Sequence, residues 1–198
     1  MPEHHIISFR PEDTDEAARV LSSAMYTNPI HLAVYMGAGK KQRKIQEEGF
    51  ARMLRENPHE VYLVKRVNRI VGVMRMYRCE GERELPVGFE DLVEAGEGSL
   101  RDVASRQIYW RGVWIKHDPP EPHSHLGPIA VLPEFQGQGI GSIMMSAYCR
   151  LVDDRSLPAY LETDTPENVR FYRKFRFQLV KEVEMLVVRN FFMWRGPS

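Results

Sequence analysis

The sequence predicts an α+β (mixed α/β) domain, one sheet flanked by crossover helices. Three observations predict it. Apolar residues alternate in some stretches and recur at helical spacing in others, in the order β-α-α-β-β-(insertion)-β-α-β-α-β-β. One strand-like run stops at a proline and passes through glycines at alternate positions into a helix-like run. The chain has 198 residues, 43% hydrophobic and 27% charged, enough for one sizeable core, with no repeat, low-complexity segment or domain linker. Residues 1–198 therefore read as a single domain.

Residues 6–10 form a first short strand ended by Pro11. Asp13 or Thr14 can cap a helix whose inward face is Ala17, Ala18, Val20, Leu21, Ala24 and Met25. Asn28-Pro29 breaks it, and residues 30–36 are a short apolar stretch closed by Gly37-Ala38-Gly39. Residues 40–55 read as a second helix, with Ile45, Phe50, Met53 and Leu54 inward. Its Lys40, Lys41, Arg43 and Lys44 read as a solvated face, with contact to an anion as the alternative. Residues 60–65 and 70–77 form a hairpin around residues 66–69.

Residues 79–122 read as an insertion: a loop with a short helix near residues 89–93, then an amphipathic helix carried by Leu100, Val103, Ala104, Ile108, Arg111 and Ile115. Trp110 and Trp114 are either a wall of a substrate pocket or core packing. Then come a strand over residues 123–131, a helix over residues 139–153 with Ile143, Met144, Ala147 and Leu151 at helical spacing, and a strand over residues 159–163. Thr165 and Pro166 suit the N-cap and first position of a helix reaching about Lys174. Residues 177–185 and 190–194 are two closing antiparallel strands.

Lys+Arg and Asp+Glu each number 27, which argues against a nucleic-acid partner held by bulk charge. Cys79 and Cys149 are far apart with no C-x-x-C, so neither a disulfide framework nor a zinc site is expected, and neither cysteine lies in a recognisable Cys/His motif. Residues 1–5 carry no apolar leader and no run approaches membrane length, so a cytoplasmic location with no membrane partner is expected.

Strand, glycine-rich turn and helix together make a phosphate-holding device, because glycines let backbone approach closely and a helix's first N–H groups lack internal partners. The Rossmann fingerprint G-x-G-x-x-G fails, since the third glycine would fall at Ser142 or Met144. The P-loop fails too: Gly39-Lys40 is followed by Lys41. What fits is Gln-x-x-Gly-x-Gly, as Gln136-Gly137-Gln138-Gly139-Ile140-Gly141. This pattern resembles the coenzyme A loop of the GCN5-related N-acetyltransferase (GNAT) family. Tyr160-Leu161-Glu162-Thr163-Asp164 is similar to the family's next strand, and the stretch from Asn168 through Tyr172 to Phe177 resembles its Asn-x-x-x-Tyr-x-x-x-Gly-Phe helix, with Arg176 in place of the glycine.

The resemblance implies a central mixed, mostly antiparallel sheet flanked by helices, with a CoA cleft between its two central strands. It implies pyrophosphate on Gln136, Gly137, Gln138, Gly139, Ile140, Gly141 and Ser142, and a pantetheine arm along the backbone of Ile129, Ala130 and Val131, with the Val131 N–H polarising the thioester. Asn168 would support the arm and Tyr172 would be the general acid, or else an aromatic packed beneath the cofactor. Glu162, in mid-strand, is either the general base or a carboxylate satisfied by an arginine, and His125 is the alternative base. His123 and His125 share a strand face, but H-x-H lacks a third ligand motif and no metal is expected. The implied activity is acetyl transfer from acetyl-CoA to a primary amine of a small molecule or peptide, by direct attack in a ternary complex. The alternatives are a non-catalytic acyl-CoA-binding or sensing module and use of a longer acyl-CoA. A homodimer stays open.

Overall fold

The computed structural model describes residues 5–56 and 60–197; the reading of residues 1–4 as free of a leader lies outside them. Strand β1 (His5–Ser8) is followed by a 3-10 turn at Pro11–Asp13 and helix α1 (Thr14–Met25). Ala17, Ala18, Val20 and Leu21 are buried at helical spacing, and burial of a side chain such as Leu21 contributes roughly 2 kcal/mol. The stretch read as merely apolar is helix α2 (Pro29–Val34), because Asn28 caps it and Pro29 occupies its first turn. Helix α3 (Lys40–Glu56) lies on α1, and its Lys40, Lys41, Arg43 and Lys44 are exposed.

Strands β2 (Glu60–Arg66) and β3 (Arg69–Cys79) form the expected hairpin. The insertion folds into helices α4 (Phe89–Ala95) and α5 (Val103–Lys116). Arg111, placed inward by the sequence reading, is exposed; Gly112 and Val113 are buried instead, because Phe89 of α4 packs directly over Gly112. Strand β4 (His123–Val131), helix α6 (Ile140–Asp154), strand β5 (Ala159–Thr163) and helix α7 (Pro166–Arg173) follow within a residue of expectation. The buried stripe of α6 is Ile140, Met144, Met145, Tyr148 and Val152, so Ile143, Ala147 and Leu151 flank it. Strands β6 (Gln178–Met185) and β7 (Val188–Arg195) close the chain.

One seven-stranded sheet has the order β1-β2-β3-β4-β5-β7-β6. Every neighbouring pair is antiparallel except β4 with β5. The sheet is thus mixed and mostly antiparallel, flanked by helices, as the sequence implied. A large core joins α1, α3, α6 and α7 to the sheet. A second core joins α2, α4 and α5 to the end of the β6–β7 hairpin. Among the described residues no helix is long and apolar enough to cross a membrane.

Candidate active site

The site begins where β4 and β5 part. Their ladder holds only Ser124↔Ala159 and His125↔Tyr160, although both strands continue beyond it. Pro128, past the last pair, has no N–H to give, and it lies in a bulge of β4, where Gly127 and Pro128 together oppose Arg75 of β3. A wedge therefore opens between the central strands. The Leu132 N–H bonds Val71 of β3, so backbone alternation turns the N–H groups of Val131 and Ile129 to the open edge. The same alternation turns Ala130 toward Val73, which corrects its expected role: its backbone belongs to the sheet. The Val131 carbonyl accepts from the Gln136 side chain at 3.0 Å, leaving its N–H as the free group.

At the mouth of the wedge lies the glycine loop. Gly137 and Gly139 have φ of 73° and 83°, a region costly for other residues, and a Cβ at either would meet nothing within 4 Å. Their bare backbone faces open space. Helix α6 starts on Gly139 with no side-chain cap, so the N–H groups of its first turn, at Ile140, Gly141 and Ser142, stay free of intrahelical partners. Ile140 is buried and offers backbone alone, whereas Ser142 is exposed and offers its hydroxyl too. Gln138 is held away from the wedge, by Arg66 and the Glu134 carbonyl. This loop fits an anionic pyrophosphate.

Glu162 and His125 meet inside the wedge. His125 Nε2 lies 2.8 Å from Glu162 Oε2, and both side chains are buried. The partner of Glu162 is thus a histidine and not the arginine of the alternative reading. Its second oxygen, Oε1, is buried with no partner. Tyr77 stacks on the His125 ring at 4.7 Å, and Tyr160 meets it edge-on at 5.2 Å. His125 Nδ1 is 3.7 Å from Asp118 Oδ1, Asp118, His125 and Glu162 bring polar atoms within 4.8 Å of one another, and Arg83 holds Asp118 Oδ2 at 2.6 Å. Burial opposes charge on His125, but Glu162, Cys79 and Asp118 outweigh it and raise its pKa to about 9.

Cys79 corrects the sequence reading. It pairs with His123 across β3 and β4 and lies beside both histidines, so it does occupy a Cys/His setting. Burial pushes the thiol up, hydrogen bonds from His123 and His125 pull it down, and the balance falls at about 7. No sequence spacing joins Cys79 or Asp118 to His125; the sheet register and the end of α5 do.

Tyr172 sits apart from this group, buried on α7 against Phe171 and Phe177. Burial, then Asp164, hold its phenol far above the usual range, so it keeps its proton as a general acid must. Asn168 donates to Thr163 at 3.0 Å and ties the first turn of α7 to the end of β5, with Thr165 as the N-cap. Asp164, just beyond, accepts from Asn28 and the Ile30 N–H at 2.7 Å each, fastening α2 beside the wedge. The turn after α7 puts Arg176 at φ 69°, the left-handed position where a glycine was expected.

The sequence model of the acetyltransferase (GNAT) family matches residues 29–177. The chain belongs to the GNAT acetyltransferase family. Solved structures agree on the fold. An acetyltransferase from Corynebacterium glutamicum described as histone acetyltransferase HPA2 and related superposes with TM-score 0.71 at 16% identity, covering 98% of this chain and 97% of that one. Arylalkylamine N-acetyltransferase 2 from Aedes aegypti gives 0.69 at 13%, covering 99% and 100%. A GNAT acetyltransferase from Brucella melitensis, solved with acetyl-CoA, gives 0.56 at 16%, covering 99% and 89%.

In this GNAT chain Trp110 and Trp114 pack in the second core, meeting at 4.7 Å, and Trp114 donates to Asn190 of β7. The core reading of these residues holds. Trp110 also lies edge-on to His31 of α2 at 5.3 Å, so the insertion braces α2 beside the wedge.

Proposed function

We propose that the protein transfers an acetyl group from acetyl-CoA to a primary amine by direct attack in a ternary complex. The observation that carries this reading is the unpartnered, buried Glu162 Oε1 where β4 and β5 part, with Oε2 fixed by His125. Acetyl-CoA supplies the thioester. Residues 136–142 hold its pyrophosphate through the backbone of Gly137, Gly139, Ile140 and Gly141 and the Ser142 hydroxyl. Ile129 and Val131 present N–H groups along the open edge, and Val131 polarises the thioester carbonyl. Glu162 Oε1 takes the proton of the attacking ammonium, with His125 as the donor that orients it. Tyr172, which keeps its proton, gives it to the leaving thiolate, and Asn168 holds α7 in register. Cys79 lies behind His125 on the paired side of the ladder, which favours direct attack over an acyl-cysteine route.

The acceptor we infer is a small-molecule or peptide amine, and the Aedes aegypti neighbour named for arylalkylamines sets the first class to try. The expected compartment is the cytoplasm, where acetyl-CoA and reduced thiols are both at hand.

Thiol release from acetyl-CoA across an amine panel tests the reading. Glu162→Gln should lower kcat by about 10²–10⁴-fold with acetyl-CoA affinity unchanged. If no amine raises thiol release although acetyl-CoA binds, the protein is a binding module. If octanoyl-CoA outpaces acetyl-CoA, the donor assignment fails.

A further inference from the structure

On the β3 side of His125 lies a cluster whose other members, Cys79 and His123, acyl transfer does not use. Cys79, His123 and His125 each bring a ligand-capable atom within 4.8 Å of the others. Asp118 Oδ1, from just after α5, lies 3.7 Å from His125 Nδ1. The Cys79, His123 and His125 residues are 4%, 0% and 4% exposed. We propose that Cys79, His123 and His125 form a site for a divalent transition metal of the zinc class, with three protein ligands and one open position.

Outside the trio itself, two of its three donor atoms have no hydrogen-bond partner: His123 Nε2 and His125 Nδ1. Buried polar atoms are seldom left so, and here both belong to residues of one cluster. The opposite atom of each residue is held. The Glu121 carbonyl lies 2.7 Å from His123 Nδ1 and can accept only a proton, so the lone pair falls on Nε2. Glu162 Oε2 plays the same part at His125 Nε2, so Nδ1 is the nitrogen left to bind an ion, which displaces any proton it carries. A histidine whose far nitrogen donates to a carbonyl or carboxylate is the arrangement that metal-ligating imidazoles require.

The donor set selects the ion. One thiolate and two imidazoles suit Zn²⁺ or Co²⁺ in tetrahedral geometry with one position open; Mg²⁺ and Ca²⁺ want oxygen alone. The thiolate offsets one charge of a divalent ion, and the Glu162 and Asp118 carboxylates beside His125 offset the rest, so the filled site tolerates burial. Such an ion joins β3 to β4. It also locks the His125 ring so that Nε2–H points at Glu162, a positioning role that stands whether or not the protein transfers acetyl groups.

Cobalt titration of chelator-treated, full-length protein tests this. The chain has only 2 cysteines, so Cys149→Ser leaves Cys79 as its sole thiol. One equivalent of Co²⁺ should give thiolate-to-cobalt charge-transfer absorption and tetrahedral d–d bands in both wild type and Cys149→Ser. Zn²⁺ should displace the cobalt and raise the melting temperature, and Mg²⁺ should do neither. Cys79→Ser should lose the charge-transfer band, and His123→Gln should weaken binding by at least tenfold. Absence of the band from Cys149→Ser, its survival in Cys79→Ser, or melting indifferent to Zn²⁺ overturns the site. Cys149→Ser keeps every proposed ligand, so its cobalt spectrum decides the matter even if Cys79→Ser fails to fold.

Discussion

At the scale of single residues, Arg176 and His31 each work against a local cost. Arg176 has φ 69° where α7 ends, its N–H bonding the Arg173 carbonyl and the Phe177 N–H reaching back to that of Tyr172. A left-handed conformation costs a side-chain-bearing residue about 1–2 kcal/mol, and glycine would add back roughly 0.5–1 kcal/mol of unfolded-chain entropy. Arg176→Gly should therefore stabilise the fold by about 0.5 kcal/mol, read as a rise in denaturation midpoint at constant slope; a fall would show that the arginine's own contacts outweigh the strain. His31 is buried, bonded through Nδ1 to Gln46 and packed on Tyr35, Phe50 and Trp110. Burial lowers its pKa to about 4. Between that value and the ordinary 6.5 the unfolded chain binds more protons than the folded one, so this contribution is complete above pH 6.5 and declines as pH falls toward 4. Replacing it with Gln should remove about 3 kcal/mol of the stability difference between pH 7 and pH 4. Parallel urea curves for the two proteins at both pH values check this, and equal pH slopes would refute it.

At the scale of elements, two helical glycines look alike in sequence and differ in the structure. Gly112 of α5 lies under Phe89, whose ring an added Cβ would strike. Gly49 of α3 has only the Tyr35 hydroxyl nearby, at 3.6 Å. Alanine in a helix interior gains about 1 kcal/mol over glycine, but overpacking costs about 1–3 kcal/mol. Gly49→Ala should thus stabilise by up to about 1 kcal/mol and Gly112→Ala should destabilise by about 1–2 kcal/mol, because α4 must lift from α5. Chemical denaturation of the pair decides it; a stabilising Gly112→Ala would mean that Phe89 swings aside freely. This contrast marks what the sequence could show. Periodicity located nearly every strand and helix, since it depends on neighbours a few residues away. The face of α5 escaped it, because Gly112 is buried by a partner in α4. The same division runs through the site. The glycine loop, Glu162 and His125 stood out as local patterns, and Asn168 and Tyr172 stood out through the family resemblance of their helix. Cys79, Asp118 and Arg83 join His125 only through strand register and the insertion's return, which no spacing records. Ala130 was misassigned because the strand's registration against β3 decides which way its N–H points.

At the scale of the whole molecule, the sheet is continuous everywhere except at its centre, where two residue pairs, Ser124↔Ala159 and His125↔Tyr160, carry the ladder between β4 and β5. On one side lie β1 to β4; on the other, β5, β7 and β6. The two halves are otherwise joined by helices, notably through Asp164 to α2 and Arg195 to Asp153 of α6. A ligand laid along the open edge of Val131 and Ile129 supplies backbone partners that the fold lacks, so binding should stiffen the join as well as fill a site. Ligand present at about 100 times its Kd adds about 2.7 kcal/mol by mass action alone, which for a chain of this size raises Tm by roughly 5–10 °C. Acetyl-CoA and CoA should both produce that shift, because pyrophosphate and pantetheine supply most of the contacts, and hydrogen exchange should slow at β4 and β5 together. Gly139→Trp must put a large side chain at φ 83° over the α6 N-terminus, and it should abolish the shift while leaving the exchange of β2 and β3 unchanged. A full shift in that variant would detach the glycine loop from the cofactor; protection confined to one strand would mean that the wedge is filled from one wall and the halves stay uncoupled.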